Sequence, residues 1–252
     1  MTNISRRKLI TTGLALGAGA SGLAVADRLA RRYGLVAPDS RGLLGPGKAL
    51  TYAAQRLITG HSLAREFPRN QISKTPFANG DLPRDAAFQQ MQERGFSDWR
   101  LAVDGLVKNP VSFSVSELKS FPSRSQITHV ACEEGWSYIA EWIGVPLSHV
   151  LSVVETLPQA RYVVYFSMDR DWWDSVDMSD ALHPQTFITY GMNDSELPTS
   201  FGGPLRLRVP RQLGYKSVKY ITRLTVTDSL KSFGRGMGSQ SAQSTYSWYA
   251  GI

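Results

Sequence analysis

Arg161-Tyr162-Val163-Val164-Tyr165-Phe166-Ser167-Met168 is the stretch on which the fold turns. Tyr162 to Phe166 is an unbroken run of β-branched and aromatic residues, short and matched to a pleated surface, so it predicts a strand over residues 161–168. Working outward, Trp99-Arg100-Leu101-Ala102-Val103 alternates large apolar side chains with others and predicts a second strand, turned by Asp104-Gly105. Gln126 to Cys132 predicts a third, with Ile127 and Val130 β-branched. Leu205, Leu207 and Val209 alternate with Arg206, Arg208 and Pro210, and Ser217 to Val226 predicts a further strand. Short helices are expected over Asp85–Arg94, over Ser116–Lys119 before Pro122, and over Leu147–Val154, where Pro146 suits a first turn. Strands and short helices interleave without regular βαβ spacing. That pattern predicts a mixed α+β domain rather than a doubly wound sheet.

The flanks divide the rest of the chain. Ser5-Arg6-Arg7-Lys8-Leu9-Ile10, an uncharged run and Ala24-Val25-Ala26 have the parts of a twin-arginine export signal over residues 1–26, with a small-residue cleavage site. Retention of the run as an anchor is the alternative, because Arg28, Arg31 and Arg32 follow it. Residues 27–65 read as an approach segment that Gly42, Gly45, Pro46 and Gly47 break. Residues 66–228 form the expected domain, opening on a loop with Pro68, Pro76, Asn79-Gly80 and Pro83. Residues 229–252, rich in Ser and Gly, are expected to wrap loosely over it. Location in the periplasm, or another exported site, follows from the signal.

The formal charge of +7 falls to about +4 without Arg6, Arg7 and Lys8. The remaining cations are scattered and form no nucleic-acid module, so no nucleic-acid partner is expected. A local cluster at Arg206, Arg208, Arg211, Lys216 and Lys219 suits an anionic small ligand.

Cys132 is the single cysteine. An exported protein with one thiol cannot form an internal disulfide. The thiol ends a predicted strand just before Gly135-Trp136-Ser137, placed either to project into a cleft or to fill a core. His129 stands an odd number of residues away, on the opposite strand face, which disfavours a local Cys–His pair; His61, His149 or His183 could approach in the fold. Four histidines and one cysteine without ligand spacing argue against a zinc site, and no haem, phosphate-loop or dinucleotide motif is present. Gly202-Gly203-Pro204-Leu205-Arg206 and Gly214-Tyr215-Lys216-Ser217-Val218-Lys219 could bring backbone and cations close to a ligand, or be two ordinary turns with solvated charges.

Taken in order, these segments resemble the sulfite-oxidase superfamily of molybdopterin enzymes. Cys132-Glu133-Glu134-Gly135-Trp136-Ser137 with Trp142-Ile143-Gly144-Val145-Pro146-Leu147 resembles its metal-ligand signature. His183-Pro184-Gln185-Thr186 with Tyr190-Gly191-Met192-Asn193 resembles its central signature, and the two glycine segments resemble its cofactor-anchoring region. The likeness runs from about Thr75 to Asp228 and is strongest to exported bacterial members, including a periplasmic one that reduces methionine sulfoxide. It implies a mixed sulfite-oxidase-type molybdopterin-binding fold and Mo-molybdopterin as cofactor, with Cys132 as metal ligand and catalytic residue. It further implies cofactor contacts from Arg206, Ser217, Val218 and Lys219, from Ser167, and from the Asn79-Gly80 loop. Three departures stand out: Phe201 where many relatives carry a polar residue, Asp194 for a glycine, and Glu133 for a common valine.

If Glu133 or Glu134 faces the pocket, it repels sulfite, which favours a neutral oxygen-atom donor or acceptor such as an S-oxide or N-oxide; the alternative is that both point away. Asp169 to Asp174, with Trp172 and Trp173, are placed at a pocket rim or, equally, as packing. The expected function is two-electron oxygen-atom transfer by an exported molybdenum enzyme, with sulfite oxidation, a non-catalytic molybdopterin carrier and a metal-free cysteine enzyme as alternatives. A separate electron-transfer partner is expected, either a membrane cytochrome or a quinone-linked protein. A monomer is expected, since the family's dimerisation domain is not seen after Asp228.

Overall fold

The computed structural model describes residues 34–169 and 172–252. The expected signal over residues 1–26 lies outside them, as do Arg170 and Asp171 of the expected rim. The chain divides into two compact units, Met1–Thr59 and Gly60–Ile252.

In the first unit, α1 spans Gly45–Ile58. Gly45, Pro46 and Gly47, expected to break structure, instead begin this helix, while Gly42 lies before it at positive φ. Pro46 sits in the first turn, where its missing N–H has no partner to lose. Lys48 pairs with Asp39 at 2.6 Å. Among the described residues no helix is long and apolar enough to cross a membrane.

The second unit holds, among the described residues, β1 (Arg100–Gly105), β2 (Val111–Ser114), β3 (Arg124–Ala131), β4 (Ser137–Pro146), β5 (Tyr162–Ser167), β6 (Trp173–Asp177), β7 (Phe187–Met192), β8 (Ser195–Glu196), β9 (Arg206–Arg208) and β10 (Ile221–Thr227). They form two sheets. One has the order β2-β1-β10-β5-β6, with β1 and β10 parallel and the other pairs antiparallel. The second runs β3-β4-β7-β8, with β9 also pairing β7, all antiparallel. Five short helices accompany them: α2 (Ala86–Glu93), α3 (Val115–Ser120), α4 (Leu147–Val153), α5 (Met178–Ala181) and α6 (Gln240–Gln243). The α+β expectation holds.

Local chemistry explains the element ends. The Asp85 side chain accepts the Ala87 N–H at the start of α2, and Ser114 and Glu117 form a reciprocal capping box on α3. β5 is central, between β10 and β6, and Val163, Val164 and Tyr165 are all buried, which accounts for its unbroken apolar run. The main core joins Val163 and Tyr165 to Trp99, Leu101, Val103, Leu224 and Val226. A smaller cluster of Val130, Tyr138, Trp142, Met192, Leu197 and Phe201 lies on the second sheet.

Four expectations about elements need correction. β4, the longest strand, was missed because Glu141 and Gly144 interrupt its apolar pattern. Glu141 is buried against Arg69 at 3.0 Å, and Gly144 sits at a register shift where the Ile188 carbonyl leaves no room for a Cβ. β6 and β7 also lay in segments given no strand. Ser217 to Tyr220 precede β10 rather than belonging to it, because a 3₁₀ turn at Gly214–Lys216 and a positive φ at Tyr220 bend the chain first. The 229–252 segment is built in rather than loose. Trp248 is 2 % exposed and donates through Nε1 to Ser175 Oγ at 2.8 Å, while Lys216 Nζ donates to the Trp248 carbonyl at 2.8 Å. Lys216 also pairs with Asp174, and both side chains are fully buried.

Candidate cofactor and active site

β3 stops at Ala131, and the chain turns through residues 132–136. Cys132 N–H donates to Trp136 O at 3.0 Å, Gly135 N–H donates to Cys132 O at 3.1 Å, and Gly135 takes φ +93°. This turn sets Cys132 at the wall of a cavity of about 850 Å³, within the range of small-molecule and cofactor sites. Glu133 and Glu134 line the same cavity. The Cys132 thiol donates to Glu133 Oε2 at 3.2 Å, with Glu134 Oε2 at 3.9 Å, and Trp136 Nε1 fixes Glu134 at 2.7 Å. The two glutamates therefore face the pocket, which resolves the alternative left open by the sequence. Burial, reinforced by both carboxylates, pushes the thiol pKa up to about 12.

The cavity also has a cationic wall. Arg206 is buried, with Nη1 donating to Phe201 O at 2.8 Å and Nη2 to Ser217 O at 2.7 Å; its Nε has no partner. Arg208 lies behind it, donating to His129 O at 2.6 Å and to Ser217 Oγ at 3.3 Å. The two guanidiniums stand 5.2 and 5.6 Å from the Trp142 ring centre. Lys219 Nζ donates to Ser200 O at 2.6 Å and to the Asn79 carbonyl. Gly202 makes this packing possible, because at φ +106° an added Cβ would meet the Lys219 side chain at 2.9 Å. Among the described residues no carboxylate pairs with Arg206, Arg208 or Lys219. Burial lowers the Arg206 pKa, while burial and the Arg206 charge hold Arg208 down to about 9 and Lys219 to about 7. Buried cations without counter-charge are costly and call for an anion. The orphaned Arg206 Nε and this donor set fit a phosphorylated pterin, and the reading as turns with solvated charges fails for Arg206.

Of the expected site residues, Asn79, Gly80, Cys132, Ser167, Arg206, Ser217 and Lys219 all line this one cavity. Val218 does not. Its side chain is core, 1 % exposed, and its carbonyl accepts the Leu207 N–H at 2.9 Å. Ser217 and Lys219 thus reach the cavity while the Val218 side chain between them enters the core. Ser167 Oγ accepts the Asp169 N–H at 3.1 Å. Phe201, the apolar departure, lines the cavity and supplies its carbonyl to Arg206. Trp172 and Asp169 are at the cavity, while Trp173 stacks on Phe166 at 6.1 Å.

None of the four histidines lines the cavity, and among the described residues no cluster of His, Cys, Asp and Glu could hold a metal ion by itself. His183 is buried with Nε2 3.2 Å from Ser62 O, and His149 packs on Phe121. Apart from Trp172, sequence reasoning gave the aromatic lining no role. Tyr138 was within reach of it, two residues beyond Trp136 on β4 and stacked on it at 6.0 Å. Phe77, Tyr215, Tyr220 and Tyr246 carried no comparable signal.

Comparison with known proteins places this geometry. The model of the oxidoreductase molybdopterin binding domain matches residues 88–232. A protein of Azospira oryzae named as a putative protein-methionine-sulfoxide reductase subunit, YedZ1, is 36% identical over 195 residues, 77% of this chain and 70% of that protein. Protein-methionine-sulfoxide reductase catalytic subunits MsrP are 32% identical in Ralstonia nicotianae, over 52% of this chain and 44% of that protein, and 28% identical in Burkholderia mallei, over 88% and 69%. Among solved structures, the sulfane dehydrogenase SoxCD of Paracoccus pantotrophus superposes with a TM-score of 0.50 at 24% identity, over 54% of this chain and 40% of that one, a likeness of fold. The chain belongs to the oxidoreductase molybdopterin-binding family. It is a molybdopterin-dependent oxidoreductase with a sulfite-oxidase-type fold, and its cofactor is Mo-molybdopterin.

Proposed function

We propose that this protein reduces a small or protein-borne S-oxide, such as methionine sulfoxide, after export by the twin-arginine route to the periplasm. In the balanced reaction the S-oxide takes up two protons and two electrons, its sulfur–oxygen bond breaks, and sulfide and water leave. The electrons come from a separate membrane cytochrome or quinone-linked partner. The observation that carries the reading is the pair of carboxylates beside Cys132. Glu133 lies 3.2 Å from Sγ and no arginine stands next to it in the 132–136 turn. An anion such as sulfite about 4 Å from one carboxylate meets repulsion on the order of 4 kcal/mol per charge pair at an effective dielectric of about 20. A neutral S-oxide meets none, and the names of the relatives support this choice.

When bound, the molybdenum group supplies a two-electron centre that accepts the oxygen atom. The chain supplies the rest. Cys132 Sγ is the one thiol in the cavity and would ligate the metal as thiolate. Arg206, Ser217, Lys219 and the Asn79-Gly80 loop would hold the pterin and its phosphate, with Ser167 at the end of β5. Glu133 and Glu134 hold acceptor oxygens beside Cys132, and the stacked Trp136 and Tyr138 rings give the same cavity an apolar wall. A metal-free cysteine nucleophile is disfavoured, since the thiol is pushed up to about 12 with no histidine at the cavity.

The test is metal analysis and turnover of protein exported in native form. Stoichiometric molybdenum, lost in Cys132→Ala, with S-oxide reduction by a reduced dye, is expected. Sulfite oxidation in preference to S-oxide reduction overturns the substrate assignment, and a loaded protein inert to S-oxides, N-oxides and sulfite overturns catalysis in favour of a carrier.

A further inference from the structure

Tyr246 lies beyond residue 232, where the molybdopterin-binding domain match stops, yet its side chain lines the same cavity as Cys132. Its ring stacks on Tyr215 with centroids 5.2 Å apart and planes at 23°, and the charge of Glu133, the carboxylate that touches Sγ, acts on its hydroxyl. The chain holds it there at a cost. The preceding Thr245, a β-branched residue, takes φ +81°, a conformation that persists only where surrounding contacts impose it. Those contacts are present around it. Tyr215 Oη donates to Ser247 O at 2.6 Å, Trp248 Nε1 donates to Ser175 Oγ at 2.8 Å, and Leu213 N–H donates to Ala250 O at 2.9 Å. A segment wedged in at Trp248 and strained at Thr245 delivers one aromatic plane to the cavity, beside the reacting face.

We infer that Tyr246 is a specificity-determining residue: its ring is a fixed wall that limits the size of the group admitted beside Cys132. The substrate consequence rests on the S-oxide reading above. The wall itself does not, because the ring lines the cavity with the Cys132 thiol whatever the substrate. A bulky substituent on the substrate sulfur meets the stacked Tyr215–Tyr246 pair, whereas a methyl group passes it.

Cys132 is the only thiol, so it reports on the wall directly. In metal-free protein, the rates of Cys132 alkylation by iodoacetamide and by a pyrene maleimide are measured at one pH, and their ratio cancels any change in thiol ionisation. Tyr246→Ala is expected to raise the bulky-to-small ratio about tenfold, the size of effect that pocket volume gives, while Tyr246→Phe, which keeps the ring, leaves it within about twofold. An unchanged ratio in folded Tyr246→Ala overturns the assignment. Should that variant not fold, Tyr246→Leu makes the same comparison, and an unchanged ratio there is equally fatal. In molybdenum-loaded enzyme, kcat/KM for methyl phenyl sulfoxide relative to dimethyl sulfoxide is expected to rise by about the same factor in Tyr246→Ala. A shifted thiol ratio in a protein whose wild type turns over no sulfoxide sustains the wall and overturns the substrate reading.

Discussion

Lys216→Met should be the most damaging charge removal in this protein. Lys216 and Asp174 are both fully buried, and the ammonium makes hydrogen bonds to Asp174, to Ser175 O at 2.7 Å and to Trp248 O at 2.8 Å. Methionine fills the volume but leaves Asp174 with only the Ser175 N–H at 2.6 Å and the Ser241 hydroxyl at 2.9 Å, and leaves two carbonyls short of a donor. Breaking a buried pair from one side costs about 3–5 kcal/mol. At about 2–4 °C per kcal/mol for a unit of this size, the melting temperature should fall by roughly 6–20 °C. The deficit should depend on pH. Burial already raises the Asp174 pKa, and Lys216 opposes that rise. Without Lys216 the folded pKa climbs further above the unfolded one. The folded state then keeps a proton that the unfolded state has released, so stability is lost as pH rises above the ordinary carboxylate range. Circular-dichroism melts of metal-free protein at about pH 5 and about pH 8 measure both effects, with Asp174→Asn/Lys216→Met as the partner variant that removes the stranded charge. A fall under about 2 °C, or a double variant as unstable at about pH 8 as Lys216→Met alone, would refute the reasoning.

Gly144→Ala drives a methyl group into the Ile188 carbonyl at the β4–β7 register shift; a loss of about 1–3 kcal/mol in denaturant melts is expected, and wild-type stability contradicts it. Arg206→Met removes the donors to the Phe201 and Ser217 carbonyls on the cationic wall; molybdenum content should drop about tenfold or more by elemental analysis, and retention above about half counts against the wall as cofactor grip. Lys219, held down to about 7, has its folded pKa below its unfolded one, so between about 7 and about 10.4 the unfolded chain binds more protons and stability rises with pH. The stability of metal-free wild type relative to Lys219→Met should therefore climb from about pH 6.5 to about 9.5 in melts; parallel curves sink the assignment.

Where one side chain's type sets its environment, the sequence was readable. β5 is apolar on both faces because it is central, and its run announces it. α2 and α3 carry their own caps at Asp85 and Ser114. β4 is different, because its polar interruption at Glu141 is neutralised by Arg69, 72 residues away in sequence. No local pattern encodes that partner. The site divides in the same way. Cys132, Arg206 and Lys219 stand in ordered motifs and line one cavity, whereas the Val218 side chain between two of the lining residues packs in the core. Tyr246 depends on the anchoring of Trp248 against Ser175, a long-range contact without local trace.

That anchoring also has a bearing on the timing of biosynthesis. Ser175 and Trp248 are 73 residues apart, and the hydrogen bonds of Leu213 with Ala250 and of Arg211 with Ile252 close equally late. While residues 88–232 emerge from the ribosome, the wall carrying Tyr246 has not yet been translated. Until Tyr246 is in place, the cavity lacks that aromatic plane of the wall it shares with Cys132. The cofactor grip at Arg206, Ser217 and Lys219 is thus laid down in the chain before the residue that faces the substrate side.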